Sequence, residues 1–352
     1  MGARAATLSV LLLVAAGCRT SREIRARIEE PFPKKLSEWR LFVGQPASLQ
    51  PNHGLIPFDI NSPLVSDYAN KHRFVWMPAG TAAVYHETDA FEFPVGTILS
   101  KTFAYPAGGK ERLLETRLLV HAKSGWIGLP YVWNEQQTEA TLEIAPDPVH
   151  VEFTRPAGNH YTLDYMIPNV NQCKNCHESD KIMKPIGPKA RQLNKTYAYP
   201  DGSANQLAYW TKIGYLKGAP APEQAPRLAV WDDPSTGSLD ERARAYFDIN
   251  CAHCHNPAGP ANTSGLSLGV GVIDRWRLGL CKVPVATGRG SGGLLFSVVP
   301  GRPDESILVH RLESAEPKIM MPELGRTLVH AEGVALIRDW VTSLEGDCAL
   351  RN

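Results

Sequence analysis

The stretch Tyr246-Phe247-Asp248-Ile249-Asn250-Cys251-Ala252-His253-Cys254-His255 contains two cysteines that are separated by two residues and followed at once by a histidine. This spacing is the attachment signature of a c-type haem. Both thiols lie on one side of a helical turn and can add to the two vinyl groups of one porphyrin, while the histidine lies under the iron as its proximal ligand. The stretch therefore predicts one covalent haem held by Cys251, Cys254 and His255.

A second copy of the motif, Cys173-Lys174-Asn175-Cys176-His177, stands upstream. It predicts a second haem c, attached through Cys173 and Cys176 with His177 as proximal ligand. The four cysteines are an alternative zinc site, but about 75 residues separate the two pairs, against roughly 15–20 in common zinc modules. The histidine that follows each pair also favours haem, so we expect two covalently bound haems.

The second haem needs another axial ligand, and Met320 and Met321 are the candidates. Met321 lies 66 residues after His255 and directly before Pro322, which stiffens the loop. Methionine is a soft ligand that raises the reduction potential relative to a second histidine. We predict Met321 as the ligand; the alternative is that both methionines fill gaps in the core.

The distal ligand of the first haem stays open at this point. Met183 lies only six residues after His177, which makes the opposite face of the haem awkward to reach. Met166 and His160 lie upstream at workable separations. An iron with an open or water-ligated position is the remaining alternative.

The other cysteines indicate the compartment. Of the 7 cysteines, four belong to the haem motifs and Cys18 ends an N-terminal apolar segment, which leaves Cys281 and Cys348. We predict a disulfide between these two, with a pair of buried free thiols as the alternative. Haem attachment of this type takes place outside the cytoplasm, where a disulfide also persists.

The N-terminus fits an exported protein. Arg4 supplies a positive charge and an apolar run follows it, too short to span a bilayer. The run ends in Leu13-Val14-Ala15-Ala16-Gly17-Cys18, which resembles a bacterial lipobox with Cys18 as the lipidated residue. This predicts a lipid-anchored chain facing the periplasm; the alternative is ordinary cleavage and a soluble periplasmic protein.

Composition excludes some partners. The 352 residues carry a formal net charge of +1 and no run of basic residues, which argues against nucleic acid. Gly288-Arg289-Gly290-Ser291-Gly292-Gly293 satisfies a dinucleotide-binding pattern, but no strand–helix unit surrounds it. We interpret it as a loop near a haem edge, where Arg289 is a candidate partner of a haem propionate, and we expect no nucleotide cofactor.

The pattern along the chain predicts an α+β multidomain fold. Short runs of aromatic and β-branched residues up to residue 164 indicate a sandwich-like or barrel-like β domain. Ser238-Leu239-Asp240-Glu241 has the spacing of a capping box and opens a helix before the second motif. We expect two mainly α-helical haem units after the β domain, the second with a class I cytochrome c layout. The predicted boundaries are a signal peptide (1–17), an anchor and tether (18–35), a β-rich domain (36–164), a first haem unit with linker (165–235) and a second haem unit (236–352).

Several segments resemble those of bacterial diheme c-type cytochromes, which are often lipoproteins. The segments are Asn250–Pro257, Ser264–Leu266, Met321–Arg326, Leu336–Trp340, Asn61–Leu64, Phe93–Thr97 and Asn171–Cys173. The resemblance assigns Cys173, Cys176 and His177 to the first haem and Cys251, Cys254 and His255 to the second. It implies electron transfer and supplies no substrate.

Three functions follow as hypotheses. The first is a membrane-anchored carrier that relays single electrons between its two haems and a redox partner protein in the periplasm or outer membrane. The second is a redox enzyme, for instance a peroxidase-like diheme protein whose first iron keeps an open face. The third is a binding module, in which the β domain recognises a partner and the haems report redox state.

Overall fold

The computed structural model describes residues 23–156, 158–285 and 287–348. The strands in chain order are β1 (Ile56–Phe58), β2 (Asn70–Trp76), β3 (Ala83–Val84), β4 (Ile98–Ala107), β5 (Lys110–Ala122), β6 (Gly125–Trp133), β7 (Ala140–Leu142), β8 (Val149–Thr154), β9 (His160–Tyr165), β10 (Glu178–Ser179), β11 (Ile182–Met183), β12 (Thr196–Tyr199), β13 (Gly202–Asn205) and β14 (Leu216–Lys217). The helices are α1 (Val170–His177), α2 (Ala190–Leu193), α3 (Gln206–Lys212), α4 (Leu239–Asn250), α5 (Ile307–Glu313) and α6 (Ala331–Ser343).

One antiparallel sheet of six strands dominates the first half of the chain, in the order β1-β2-β4-β5-β6-β7. Its central strands alternate inward and outward side chains because successive residues of a strand point to opposite faces. On one face, Thr102 and Thr116 lie opposite each other, and their hydroxyls are 2.7 Å apart. The β4–β5 register shifts between Phe103 and Ala104.

The two faces of this sheet are covered by different parts of the chain. One face packs against the N-terminal segment, where the Trp39 indole N–H donates to the Tyr131 hydroxyl over 2.6 Å in a buried apolar cluster. The other face carries Val75 and Leu99, which share a cluster with Leu207 and Trp210 of α3. This second face therefore packs against the segment that follows the first haem motif.

The first motif segment has little helix. It begins with α1 and continues through the hairpins β10–β11 and β12–β13, with the short helices α2 and α3 between and after them. Pro185, Gly187 and Pro188 interrupt any longer helix, because proline lacks the backbone donor that a helix interior requires.

The second motif segment contains the longer helices. Ser238 caps α4 by accepting a hydrogen bond from Glu241 N, while Ser238 N donates to the Glu241 carboxylate, as the capping-box spacing predicts. Phe247 of α4 meets Trp340 of α6 edge-on, with the ring centroids 5.2 Å apart. Both belong to a buried cluster that also includes Val309 and Leu312 of α5.

The expected fold of a β-rich domain followed by two mainly α-helical cytochrome units is wrong. Only 22% of the described residues are helical, and these residues contain 6 α-helices and a large antiparallel sheet, although an N-terminal β domain is compatible with the structure. The error lies mainly in the first motif segment, where prolines and glycines limit the helices. That segment packs its apolar side chains against the sheet, in place of an apolar core of its own.

Candidate functional site

The first haem motif lies in α1, which a capping box starts. The Asn169 side chain accepts a hydrogen bond from Gln172 N, and Asn169 N donates to the Gln172 side chain, each over 2.9 Å. The helix then contains Cys173, Cys176 and His177 within its eight residues. The two cysteines are therefore almost one helical turn apart, the arrangement that attachment to a single porphyrin edge needs.

This helix lies against strand β6. A Cβ placed on Gly128 would come within 3.0 Å of the Cys173 Cβ and 3.2 Å of its Sγ. The Met183 Cε is also only 3.2 Å from that position. Glycine at position 128 thus allows the motif and β11 to approach the sheet closely.

The second motif follows α4 directly. Cys251 is the C-terminal cap of α4, and Cys254 N and His255 N both donate to the Cys251 carbonyl, over 3.1 and 2.9 Å. The chain therefore makes a tight turn that holds both cysteines and the histidine together. Cys251 is buried, and Cys254 is partly buried.

The fold brings the two motifs into contact. The Cys254 thiol donates to the carbonyl of Asn175, inside the first motif, over 3.7 Å. Asp180 N, three residues after His177, donates to Ala258 O over 2.9 Å. The sequence alone did not predict this contact between segments 78 residues apart.

Each motif histidine forms a hydrogen bond through its Nδ1. His177 Nδ1 lies 2.8 Å from Lys184 O, and His255 Nδ1 lies 3.0 Å from the hydroxyl of Ser264. Nε2 of neither ring forms a hydrogen bond within the described part of the chain. A hydrogen bond at one ring nitrogen fixes the tautomer and leaves the other nitrogen for the metal. Burial lowers the pKa of His177 to about 3 and that of His255 to about 4, so both rings are neutral, the form that binds a metal.

The four motif cysteines are free thiols. Burial raises the pKa of each, to about 12 for Cys251 and Cys254. Since the thiolate is the reactive form, buried thiols resist oxidation to disulfides. Free thiols beside a neutral histidine with an unused Nε2 are the donor set that a haem c needs, so both motifs fit this group.

The methionine loop lies near the second motif. Met321 N donates to Arg311 O over 3.0 Å, and the charge of Arg311 adds to the effect of burial in lowering the pKa of His255. The Arg326 guanidinium donates to the Met321, Leu328 and Ser314 carbonyls and fixes the loop from inside. Met320 is buried and Met321 is partly exposed. Met321 as the axial ligand stays a prediction.

The three candidate ligands of the first haem are dispersed. Met183 lies beside Cys173 and Gly128, in a strand paired with Glu178. Met166 is 50% exposed. His160 lies in the β8–β9 hairpin, where its Nδ1 is 3.2 Å from the Thr154 hydroxyl. Of the three, only Met183 lies against a residue of the first motif.

The structure places two other predicted features, and two more lie outside the described residues. Cys281 and Cys348 form a disulfide across 67 residues of sequence, which is the predicted pairing. The Arg289 guanidinium is 78% exposed and lies 3.8 Å from the Glu316 carboxylate. The predicted signal peptide and the lipidation site Cys18 lie outside the described residues.

Sequence reasoning missed the polar residues on the sheet that face the first motif. One of them is Arg117, whose charge acts on the pKa of Cys173, Cys176 and His177. Lys101 acts on the same three groups. A signal was present in β4, where Lys101 alternates with the apolar residues Leu99 and Phe103 on one face of a predicted strand.

No family model matches the chain, and no curated protein or solved structure matches it either. Within the described residues, no group of three or more His, Cys, Asp or Glu side chains is placed to hold a metal ion by itself. None of the described helices is both long and apolar enough to cross a membrane. Function is therefore inferred from the geometry of the two motifs.

Proposed function

We propose that the chain is a diheme c-type cytochrome that relays single electrons between two covalent haems and a redox partner protein. The observation that carries the proposal is the contact between the two motifs, in which the Cys254 sulfur lies 3.7 Å from Asn175 O and Asp180 N donates to Ala258 O over 2.9 Å. Cofactors attached to segments in contact are held close together without a diffusive encounter. An electron accepted at one site can then leave at the other.

The residues around each site have distinct tasks. Each haem supplies an iron that alternates between the ferrous and ferric states. The Lys184 carbonyl and the Ser264 hydroxyl orient the rings of His177 and His255, which keeps Nε2 in position as a ligand. Met321 is the proposed second ligand at the second site, where a thioether favours the reduced iron.

The location belongs to the same proposal. The disulfide between Cys281 and Cys348 supports an oxidising compartment, because such bonds persist outside the cytoplasm. Together with the predicted lipidation of Cys18, it supports a lipid-anchored chain that faces the periplasm. The redox partner is then a protein of the periplasm or the outer membrane.

The first experiment counts haems. The full chain is produced in a host that attaches haem c, and the pyridine haemochrome assay is expected to give two haems per chain. The variants Cys173→Ala/Cys176→Ala and Cys251→Ala/Cys254→Ala are each expected to lose one haem. The matched control, Cys281→Ser/Cys348→Ser, removes two sulfurs and is expected to keep both haems. A mature chain without a Soret band would contradict the proposal.

The second experiment separates a carrier from an enzyme. Spectra of the reduced and oxidised protein are recorded with and without cyanide, carbon monoxide and peroxide. Two low-spin haems that bind none of these support the carrier. A high-spin haem that reacts with peroxide would instead support a redox enzyme with an open position on the first iron.

A further inference from the structure

Three cationic side chains form a row across the sheet beside the first motif. Arg73 of β2 lies opposite Lys101 of β4, and Lys101 lies opposite Arg117 of β5. Directly opposed residues of neighbouring strands share a face and have their Cβ atoms roughly 4.5–5.5 Å apart, and like charges in such positions destabilise a sheet. The row therefore needs a compensating negative charge.

An aromatic ring and a fourth cation lie next to this row. Phe103 is two residues after Lys101 in β4 and therefore on the same face. The Arg117 guanidinium lies 4.2 Å from the Phe103 ring centroid, the Lys101 ammonium 4.9 Å and the Lys71 ammonium 6.0 Å. Three of the four cations thus surround one ring, which lies between two apolar clusters of the sheet.

The protein supplies too few carboxylates for these cations. Arg73 pairs with Asp59 at 2.8 Å, and the Arg117 Nε donates over 2.7 Å to the fully buried Glu115. Lys101 forms no hydrogen bond or ion pair with any described residue. The Lys71 ammonium donates only to a backbone carbonyl, that of Ala69, at 3.0 Å. Four cations therefore face two carboxylates, which leaves two positive charges.

Including two neighbouring charged residues leaves the same surplus of two positive charges. They are Lys195, which shares Asp59 at 2.9 Å, and Asp67, whose carboxylate accepts hydrogen bonds from the backbone N–H groups of Thr327 and Leu328. Burial, followed by the charges of Arg73 and Arg117, lowers the pKa of Lys71 to about 7. Burial and the same two arginines also lower the pKa of Lys101 well below its usual value. Both shifts agree with a deficit of negative charge at this place.

The row continues to the first motif. Arg117 lies opposite Pro130 on β6, and Gly128, two residues before Pro130 on the same face, contacts Cys173. The charge of Lys101 acts on Cys173, Cys176 and His177. The surplus cations thus lie against the segment to which the first haem is proposed to attach.

We propose that Lys101 and Lys71, with Arg73 and Arg117 beside them, bind the two propionate carboxylates of the first haem. The two negative charges of the propionates match the two unpaired cations. Half-buried lysines between apolar clusters also attract carboxylates more strongly than surface lysines do. This inference rests on the proposed function, because it assigns the anionic groups of one of the two haems.

The test uses the intact diheme protein and the variants Lys101→Met and Lys101→Arg. The matched control is Lys110→Met, an exposed lysine at the start of β5. The reduction potentials of both haems are measured by spectroelectrochemistry, and axial ligation is followed by EPR. Loss of a cation beside the propionates stabilises ferric iron. We expect Lys101→Met to raise the ferric-to-ferrous ratio of the first haem about tenfold at a given potential, which is about 59 mV for a one-electron couple.

The remaining outcomes separate the alternatives. Lys101→Arg keeps the positive charge, so the reduction potential of its first haem is expected to equal that of the wild type. The potential of the second haem in these variants, and both potentials in Lys110→Met, are expected to stay unchanged. An unshifted first potential in Lys101→Met would overturn the inference. A changed EPR signature of axial ligation in Lys101→Arg would also overturn the inference, because that result would identify Lys101 as an iron ligand. If Lys101→Met does not accumulate, Lys71→Met replaces it with the same expected shift. A wild-type chain with no haem on Cys173 and Cys176 would instead contradict the proposed function.

Discussion

The two motif segments carry the same spacing of cysteines and histidine in different structural surroundings. The second motif follows α4 and lies within a cluster formed by α4, α5 and α6. The first motif lies in α1, none of whose eight residues is fully buried, and that helix packs against strand β6. If the first motif attaches haem as proposed, it does so without a helical domain of its own, since the sheet supplies the packing surface and the charges.

The second segment also contacts the first segment directly and the N-terminal half of the chain. Asp248 of α4 accepts two hydrogen bonds from the Arg191 guanidinium of α2, each over 3.0 Å, and Asp248 is buried. Asp67, between β1 and β2, holds the Thr327 and Leu328 amides that follow the methionine loop. These contacts position the second segment against the rest of the chain, although its apolar core is its own.

The largest expected effect tests whether the second segment has an independent core. Trp340→Ala removes a fully buried ring that packs on Phe247 and donates a hydrogen bond to Asp240 over 2.8 Å. We expect the free energy of unfolding of this segment to fall by about 3–5 kcal/mol. Urea unfolding is followed at the absorption of each haem separately.

The control for this change is Trp276→Ala, which alters a tryptophan that is 54% exposed in the same segment. Its expected effect is below about 0.5 kcal/mol. If Trp340→Ala lowers the unfolding midpoint measured at the first haem as much as that measured at the second, the two segments unfold as one unit. The contrast between them then does not hold.

A smaller effect tests, through pH, the junction between the second segment and the N-terminal half. His330 is buried, with its Nδ1 3.2 Å from the Tyr246 hydroxyl of α4 and its ring 5.4 Å from that of Tyr68. Burial lowers the pKa of His330 to about 4 from 6.5. The unfolded chain therefore binds this proton first, so the stabilisation is full above pH 6.5 and is lost as the pH falls towards 4.

The size of this pH effect is about 3 kcal/mol. His330→Phe removes the titrating group, so the difference in unfolding free energy between variant and wild type is expected to change by that amount between pH 7 and pH 4. His53→Phe, at an exposed histidine, serves as the control. A constant difference between the His330→Phe and wild-type proteins over this range would show that His330 is not held neutral at the junction.

Much of the second segment is predictable from sequence because its signals are local. The Ser238–Glu241 capping box places the start of α4, and the apolar spacing of Val334, Ile337 and Val341 predicts the closing helix α6. The disulfide follows from the small number of cysteines left after the motifs are assigned.

The surroundings of the first motif could not be predicted because they depend on strand register. Arg73, Lys101 and Arg117 are separated by 28 and 16 residues in the sequence, and only the pairing of β2, β4 and β5 places them in one row. A shift of one residue would turn Lys101 to the other face of the sheet. The residue spacing of the first motif gives no information about the strands that pack against it. The expectation of a helical unit there came from the second motif.

The smallest expected effect tests the dependence of the first motif on the sheet. Gly128→Val adds a branched side chain where even a Cβ would lie 3.0 Å from that of Cys173. We expect a cost of about 1–3 kcal/mol in the free energy of unfolding, together with a reduced haem content at the first motif and a normal content at the second. The matched control is Gly271→Val, because Gly271 is exposed and has no atom within 4 Å of an added Cβ. None of the eight residues of α1 is fully buried, so displacing the helix from β6 is expected to change the first site. Wild-type stability and two full haems in Gly128→Val would mean that the first segment holds its haem without β6, and the distinction between the two segments would then be wrong.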